Sequence, residues 1–206
     1  MAYVGAASQA VPLVAAVLAR RPVWGARAWV LAWCAVLVAA DAASLWLASH
    51  NVRNLWLWYW LTPASGALVL WTCSFWQRGE VARLTFRLAI VPFLIVWSVL
   101  TLLVEDTSNF SRAAEPMNML VGLGAAAFTL LARSRSASAS LLRHDWFWVS
   151  AGMALYFGTS SAQGPLSALL VAGAPQLLDR AYELKAGLDI VAFLLITRGV
   201  TCPTES

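Results

Sequence analysis

The chain has 206 residues, of which 61% are hydrophobic and 12% are charged, and it carries a formal net charge of +4. Its mean hydropathy is +0.71, and the charged share is about half that of a typical soluble domain. This apolar content exceeds what one water-soluble core buries, so the composition predicts a polytopic membrane protein whose main partner is the lipid bilayer. No basic stretch alternates with aromatic residues outside the apolar segments, and we therefore expect no nucleic-acid partner.

Seven apolar stretches predict an all-α bundle of seven transmembrane helices, in one domain of residues 1–206 with no soluble domain. A spanning helix needs about 20 mainly apolar residues, and the twelve tryptophans suit bilayer interfaces. Gly164-Pro165 is expected to end the sixth span, and Pro63 and Pro92 to kink the third and fourth. The predicted spans are Ala2–Ala19, Trp24–Ala48, Leu55–Trp76, Leu84–Val104, Pro116–Ala132, Trp146–Gln163 and Leu177–Ile196.

The arginines predict the orientation of these spans. Ten basic residues flank the odd-numbered connections or follow the last span, and four lie at the opposite side. Because basic residues favour cytoplasmic loops, we expect the N-terminus outside, the C-terminus in the cytoplasm and a multi-pass location in a bacterial inner membrane. The ten are Arg20, Arg21, Arg27, Arg78, Arg83, Arg87, Arg133, Arg135, Arg143 and Arg198, and the four are Arg53, Arg112, Arg180 and Lys185.

The last predicted span holds Lys185, the chain's single lysine. An ammonium group near the bilayer centre costs roughly 2.5–3.5 kcal/mol or more, so it normally has a partner or a function. Asp189 lies four residues further on, and this spacing predicts a direct Lys185–Asp189 pair on the helix face that also carries Tyr182. Glu183 belongs to a second stripe nearer the outer surface, and Asp41 and Glu115 lie in the outer parts of the second and fifth spans.

These groups allow two interpretations. They form either a polar pocket open to the outside or a set of separate ion pairs that satisfy one another. In the pocket interpretation, Lys185 supplies a positive charge for an anionic ligand, Asp189 holds Lys185 when the pocket is empty, and Tyr182 donates a hydrogen bond. The predicted ligand-binding residues are Lys185, Asp189, Tyr182, Glu183, Asp41 and Glu115.

Four classes of function compete for this sequence. A sensory or accessory protein would read an external ligand and act through a separate signalling protein or a homo-oligomer, and this is the leading hypothesis. A small-solute transporter is an alternative. A membrane enzyme is not expected, because His50 and His144 are predicted at opposite membrane faces and no nucleophile has a visible partner. We expect no metal, and His144 and Asp145 are interpreted as a solvated surface pair.

The fourth class is a retinal-binding photoreceptor or pump. Lys185-Ala186-Gly187 in the last span and Trp60-Leu61-Thr62-Pro63 in the third are similar to segments of microbial rhodopsins. That similarity implies retinal on Lys185, with Asp189 or Asp41 as counter-ion; otherwise no cofactor is expected. The chain departs from rhodopsins at Ala181, where an acidic residue would stand, and it has no tryptophan–proline–tryptophan pattern in the sixth span.

Three further stretches resemble a group of small seven-helix bacterial membrane proteins without attached domains. They are the segment of residues 51–59 (NVRNLWLWY), the segment of residues 145–148 (DWFW) and the segment of residues 156–159 (YFGT). This resemblance implies the seven-helix architecture and no catalytic residue.

Overall fold

The computed structural model describes residues 2–20, 23–105, 111–135, 141–173 and 177–203, and within those ranges the chain is helical and has no strand. A short π-helix, Leu100–Val104, follows α6, and a 3-10 turn, Leu141–Arg143, precedes α8. The helices are α1 Ala2–Ser8, α2 Val11–Ala19, α3 Ala26–Ser49, α4 Leu55–Phe75, α5 Glu80–Leu88, α6 Ile90–Val99, α7 Ala114–Ser134, α8 Asp145–Gly173 and α9 Leu178–Val200.

The first predicted span is broken into two helices. A turn at Gln9 and Ala10 separates α1 from α2, and Pro12 lies in the first turn of α2. Proline has no N–H, so the carbonyl of Ser8 loses the donor that a continuous helix would supply four residues later. The break matters for function because it places the polar side chain of Gln9 at a helix end inside the bundle, where it is 9% exposed.

Proline has different consequences in the other helices. Pro63 lies inside the unbroken α4, whereas the fourth predicted span is interrupted at Ala89, three residues before Pro92. The expectation that Gly164-Pro165 ends the sixth span is wrong, because α8 continues to Gly173. Proline is tolerated within apolar helices where neighbouring groups satisfy the freed carbonyl.

The helices form a ring. In chain order around the ring, α3 packs on α4, α4 on α7, α7 on α8 and α8 on α9. The pair α1 and α2 closes the ring by packing against both α9 and α3, while α5 and α6 lie outside it against α4. This arrangement brings α3, α8 and α9, which carry most of the ionisable residues discussed below, to one side of the core.

Glycines allow α8 and α9 to approach closely. A Cβ atom at Gly152 would lie 2.6 Å from the carbonyl oxygen of Ala192 and 2.6 Å from Ile196. A Cβ atom at Gly199 would lie 2.5 Å from Val149. Small residues at a helix interface permit backbone contact of this kind, so these two glycines fix the register of α8 against α9.

The surface of the bundle is apolar, as the composition predicts for a membrane protein. Three helical stretches are long and apolar enough to cross a membrane: Ala26–Ser49, Glu80–Val104 and Ala114–Ser134. Large apolar side chains point outward, and Leu103 is 79% exposed. A water-soluble protein rarely leaves so many such side chains exposed in contiguous patches, which supports the membrane part of the prediction.

Candidate functional site

The ion pair that the spacing of α9 predicts is present. Lys185 Nζ contacts Asp189 Oδ2 one helical turn away, and the two side chains are 19% and 13% exposed. Their neighbour Ala186 is buried against Gly5 of α1. Lys185, Ala186 and Asp189 therefore form the face of α9 that is directed toward the bundle.

An aromatic group lies beneath the lysine. The ring of Tyr156, from α8, is buried, and its centroid is 5.4 Å from Lys185 Nζ, within the range of a cation–π contact. Tyr156 packs in turn on Trp33, Phe157 and Phe193, with ring centroids 5.2–5.6 Å apart. These close-packed rings make a rigid apolar floor for the charged residues above them.

Asp41 reaches the same place from α3. Its carboxylate interacts with the side chain of Gln9 and, electrostatically, with Lys185 and Asp189. Gln9 lies in the turn between α1 and α2. Asp41 and Gln9 thus add an acid and an amide to the Lys185–Asp189 pair.

Glu115 approaches from the first turn of α7, with an exposed side chain, and interacts electrostatically with Lys185. The start of α7 is held by Glu105, whose carboxylate accepts hydrogen bonds from the Ser111 hydroxyl at 3.0 Å and the Ala113 N–H at 2.5 Å. We call Lys185, Asp189, Asp41 and Glu115 the polar cluster. It gathers residues from α3, α7 and α9 over Tyr156 of α8.

Two predicted site residues lie apart from the polar cluster. Tyr182 is 47% exposed and Glu183 is also exposed. Tyr182 shares the helical face of Lys185 and Asp189 but lies near the start of α9, and Glu183 lies about a quarter-turn from that face. Of the six residues predicted from the sequence, Asp189, Asp41 and Glu115 each interact with Lys185, whereas Tyr182 and Glu183 are exposed at the surface.

Two buried oxygen atoms of the site lack donors. Among the residues that the structure describes, Asp189 Oδ1 and Gln9 Oε1 have no hydrogen-bond partner. Buried polar atoms are bonded in the great majority of cases, and an exception requires an explanation. Within the same described ranges, no three His, Cys, Asp or Glu side chains stand close enough together to hold a metal ion.

A second group of charged residues ties the far ends of the same helices together. Arg27, 7% exposed at the start of α3, bonds Asp145 Oδ2 through Nε at 2.9 Å and the carbonyl oxygen of Cys202 through Nη1 at 2.8 Å. Asp145 Oδ1 accepts the N–H of Trp146 at 2.7 Å. We call Arg27, Asp145 and the Cys202 carbonyl the arginine clasp; it joins α3, α8 and the end of α9.

The arginine clasp corrects one interpretation of the sequence. Asp145 was expected to be solvated beside His144, but it is ion-paired with an arginine from a distant part of the chain. Sequence spacing does not show this pair, because 118 residues separate Arg27 from Asp145. Tyr156 and Gln9 were also not among the predicted site residues, although Gln9 is the single amide in the apolar stretch Ala2–Ala19.

The comparisons with known proteins add no relative. The chain matches no protein-family model, no curated protein and no solved structure.

Proposed function

We propose that the protein is a seven-helix bundle in a bacterial inner membrane, with its N-terminus outside and its C-terminus in the cytoplasm. Counting α1 with α2 and α5 with α6 as one span each gives seven spans. The exposed apolar side chains support a lipid-facing surface, and the ten-to-four division of basic residues supports the orientation. In this orientation the polar cluster lies in the outer half of the bundle and the arginine clasp at the cytoplasmic end.

We further propose that the protein is a non-enzymatic sensory or accessory protein that binds a small ligand in the polar cluster. The observation that carries this proposal is that Asp41, Glu115 and Asp189, from three different helices, all interact with the chain's only lysine. Ionisable residues within a membrane bundle are costly and commonly mark functional sites. Tyr182 and Glu183 belong to the entrance of this proposed site rather than to its floor.

The connection between the polar cluster and the arginine clasp supports sensing. Both groups include residues of α3, and Tyr156 beneath the polar cluster and Asp145 of the clasp belong to α8. Gly152 and Gly199 keep α8 in close contact with α9. A ligand that alters the charge balance at Lys185 would therefore bias the position of α9 relative to α3 and α8. The cytoplasmic ends of these helices would pass the change to a separate signalling protein or to a second copy of the chain.

The proposed orientation is tested by cysteine labelling. In a variant whose three native cysteines are replaced, Ser49→Cys should react with a membrane-impermeant maleimide in intact cells, and Ser134→Cys should react only after the cells are lysed. The reverse pattern would contradict the orientation, and labelling of both from outside would contradict the span count.

The proposed coupling is tested at Cys202, which is buried and whose Sγ bonds the Arg143 carbonyl oxygen at 3.2 Å. The full chain in nanodiscs, with Cys34 and Cys73 replaced by alanine, is labelled at Cys202 with a maleimide. Lys185→Met should change the labelling rate severalfold, because it shifts α9, and Cys202 of the arginine clasp lies just beyond the end of α9. The control Asp179→Asn, an exposed acid on the same helix, should not change it.

An equal labelling rate in Lys185→Met and the parent chain, with no loss of stability, would contradict the site as well as the coupling. The same preparation separates the alternatives. A rhodopsin-like protein would show an absorbance shift with all-trans retinal that borohydride fixes to Lys185. A transporter would show solute uptake into proteoliposomes.

A further inference from the structure

The charge balance of the polar cluster favours a cation. The Lys185 ammonium contacts the Asp189 carboxylate and interacts electrostatically with two further carboxylates, those of Asp41 and Glu115. Asp189 interacts with Asp41 as a like charge. An anionic ligand, which the sequence suggested, would add to this repulsion, whereas a positively charged ligand would relieve it.

The hydrogen-bonding groups of the polar cluster and of its neighbour Gln9 also favour a cationic ligand. Gln9 is 9% exposed and interacts with Asp41, and its Oε1 atom has no donor among the described residues. Asp189 Oδ1 also has no donor within those ranges. One of these acceptors lies in the turn between α1 and α2 and the other on α9, and leaving buried acceptors unbonded costs about 1–3 kcal/mol each.

The floor of the polar cluster suits an ammonium group. The electron-rich face of Tyr156 lies 5.4 Å from Lys185 Nζ. Aromatic rings attract ammonium ions placed over their faces. Lys185 makes both interactions in this structure, because its ammonium group contacts the Asp189 carboxylate and lies over the ring of Tyr156.

We propose that the polar cluster binds a small organic molecule through its primary ammonium group, and that Lys185 is the tethered cation which this group displaces. The ligand's N–H groups donate to Asp189 Oδ1 and Gln9 Oε1, and its charge lies over Tyr156. Lys185 then moves toward Glu115, which already attracts it. This inference rests on the proposed function, because it names the ligand class of the same site.

The test replaces the tethered cation with a free one. Lys185→Ala removes a propylammonium group, and n-propylammonium is added to the full chain in nanodiscs while the thermal unfolding midpoint is measured. The compound should raise the midpoint of Lys185→Ala at a concentration at least about tenfold lower than that needed for the parent chain, because one competing positive charge is gone. Butyrate, an anion of similar size, and choline, which has no N–H donor, are the matched probes and should act weakly.

A second variant identifies the atoms. Adding Asp189→Asn to Lys185→Ala should weaken the n-propylammonium effect about tenfold or more, the scale of one lost charge-assisted hydrogen bond. The control Asp179→Asn should leave it unchanged. If Lys185→Ala does not fold, Glu115→Gln in the parent chain provides the same test at an exposed side chain, with a weaker n-propylammonium response expected.

The outcomes separate the ligand class from the site itself. Stabilisation of the parent chain by butyrate but not by n-propylammonium, lost in Lys185→Ala, would overturn the ammonium inference and leave the proposed binding function standing. An absence of any response to both probes in every variant would overturn the inference. If, in addition, Lys185→Met leaves the Cys202 labelling rate unchanged, the proposed function is overturned as well.

Discussion

The polar cluster and the arginine clasp share helices α3 and α9 but differ in how their charges are satisfied. In the arginine clasp, Arg27 bonds both Asp145 and the Cys202 carbonyl, and the second oxygen of Asp145 bonds Trp146. In the polar cluster, three carboxylates share one ammonium group, and two buried acceptors have no donor within the described chain. The first arrangement is complete without a ligand, and the second is not.

This difference separates structural charges from functional ones. A buried charge pair is compatible with a stable structure when every polar atom is bonded, and removing one partner destabilises the structure. A site that binds and releases a ligand has polar atoms that are unbonded in the free protein, and these atoms lower its stability. The two groups should therefore respond in opposite directions when one of their acids is neutralised.

The largest effect is expected at the arginine clasp. Asp145→Ala leaves the buried guanidinium of Arg27 without its carboxylate, and the free energy of unfolding should fall by about 2–3 kcal/mol. Glu80→Gln is the matched control, because Glu80 is an exposed acid in the first turn of α5, and it should change stability little. Reversible unfolding in detergent measures the free energy of unfolding of both variants. An equal change in the two variants would contradict a structural role for the arginine clasp.

A slightly smaller effect is expected where α8 meets α9. Gly152→Ala places a methyl group against the backbone of Ala192, and overpacking of this kind should cost about 1–2 kcal/mol. It should also alter Cys202 labelling, since the contact lies between the polar cluster and the clasp. Gly187→Ala, at a position with open space on α9, is the control. If both variants are neutral, α8 and α9 are not in backbone contact.

The smallest effect, and the one with opposite sign, is expected in the polar cluster. Asp41→Asn keeps a polar side chain beside Gln9 but removes a half-buried negative charge, whose desolvation cost outweighs its attraction to Lys185, so the free energy of unfolding should rise by about 1 kcal/mol. Asp179→Asn should leave it unchanged. A loss of stability in Asp41→Asn as large as that in Asp145→Ala would mean that the polar cluster is a second structural clasp.

Much of the helical pattern and part of the site follow from the sequence. The apolar runs predict the helical regions, and the four-residue spacing predicts the Lys185–Asp189 pair, because both depend on local periodicity. The break at Gln9 has a local cause in Pro12, whereas the passage of α8 through Pro165 and the exposure of Tyr182 depend on packing between helices. So does the pairing of Arg27 with Asp145. Distant residues decide these features, and local patterns do not record them.

The most direct measurement uses the fact that Lys185 is the chain's only lysine. Incorporation of lysine labelled with ¹⁵N at Nζ gives one ammonium resonance for the full chain in nanodiscs. We predict a resonance protected from exchange with water and displaced from that of free lysine. It should shift in Asp189→Asn and in Tyr156→Leu, and n-propylammonium should move it toward the free-lysine position. A rapidly exchanging, free-lysine-like resonance that none of these changes affects would contradict this prediction.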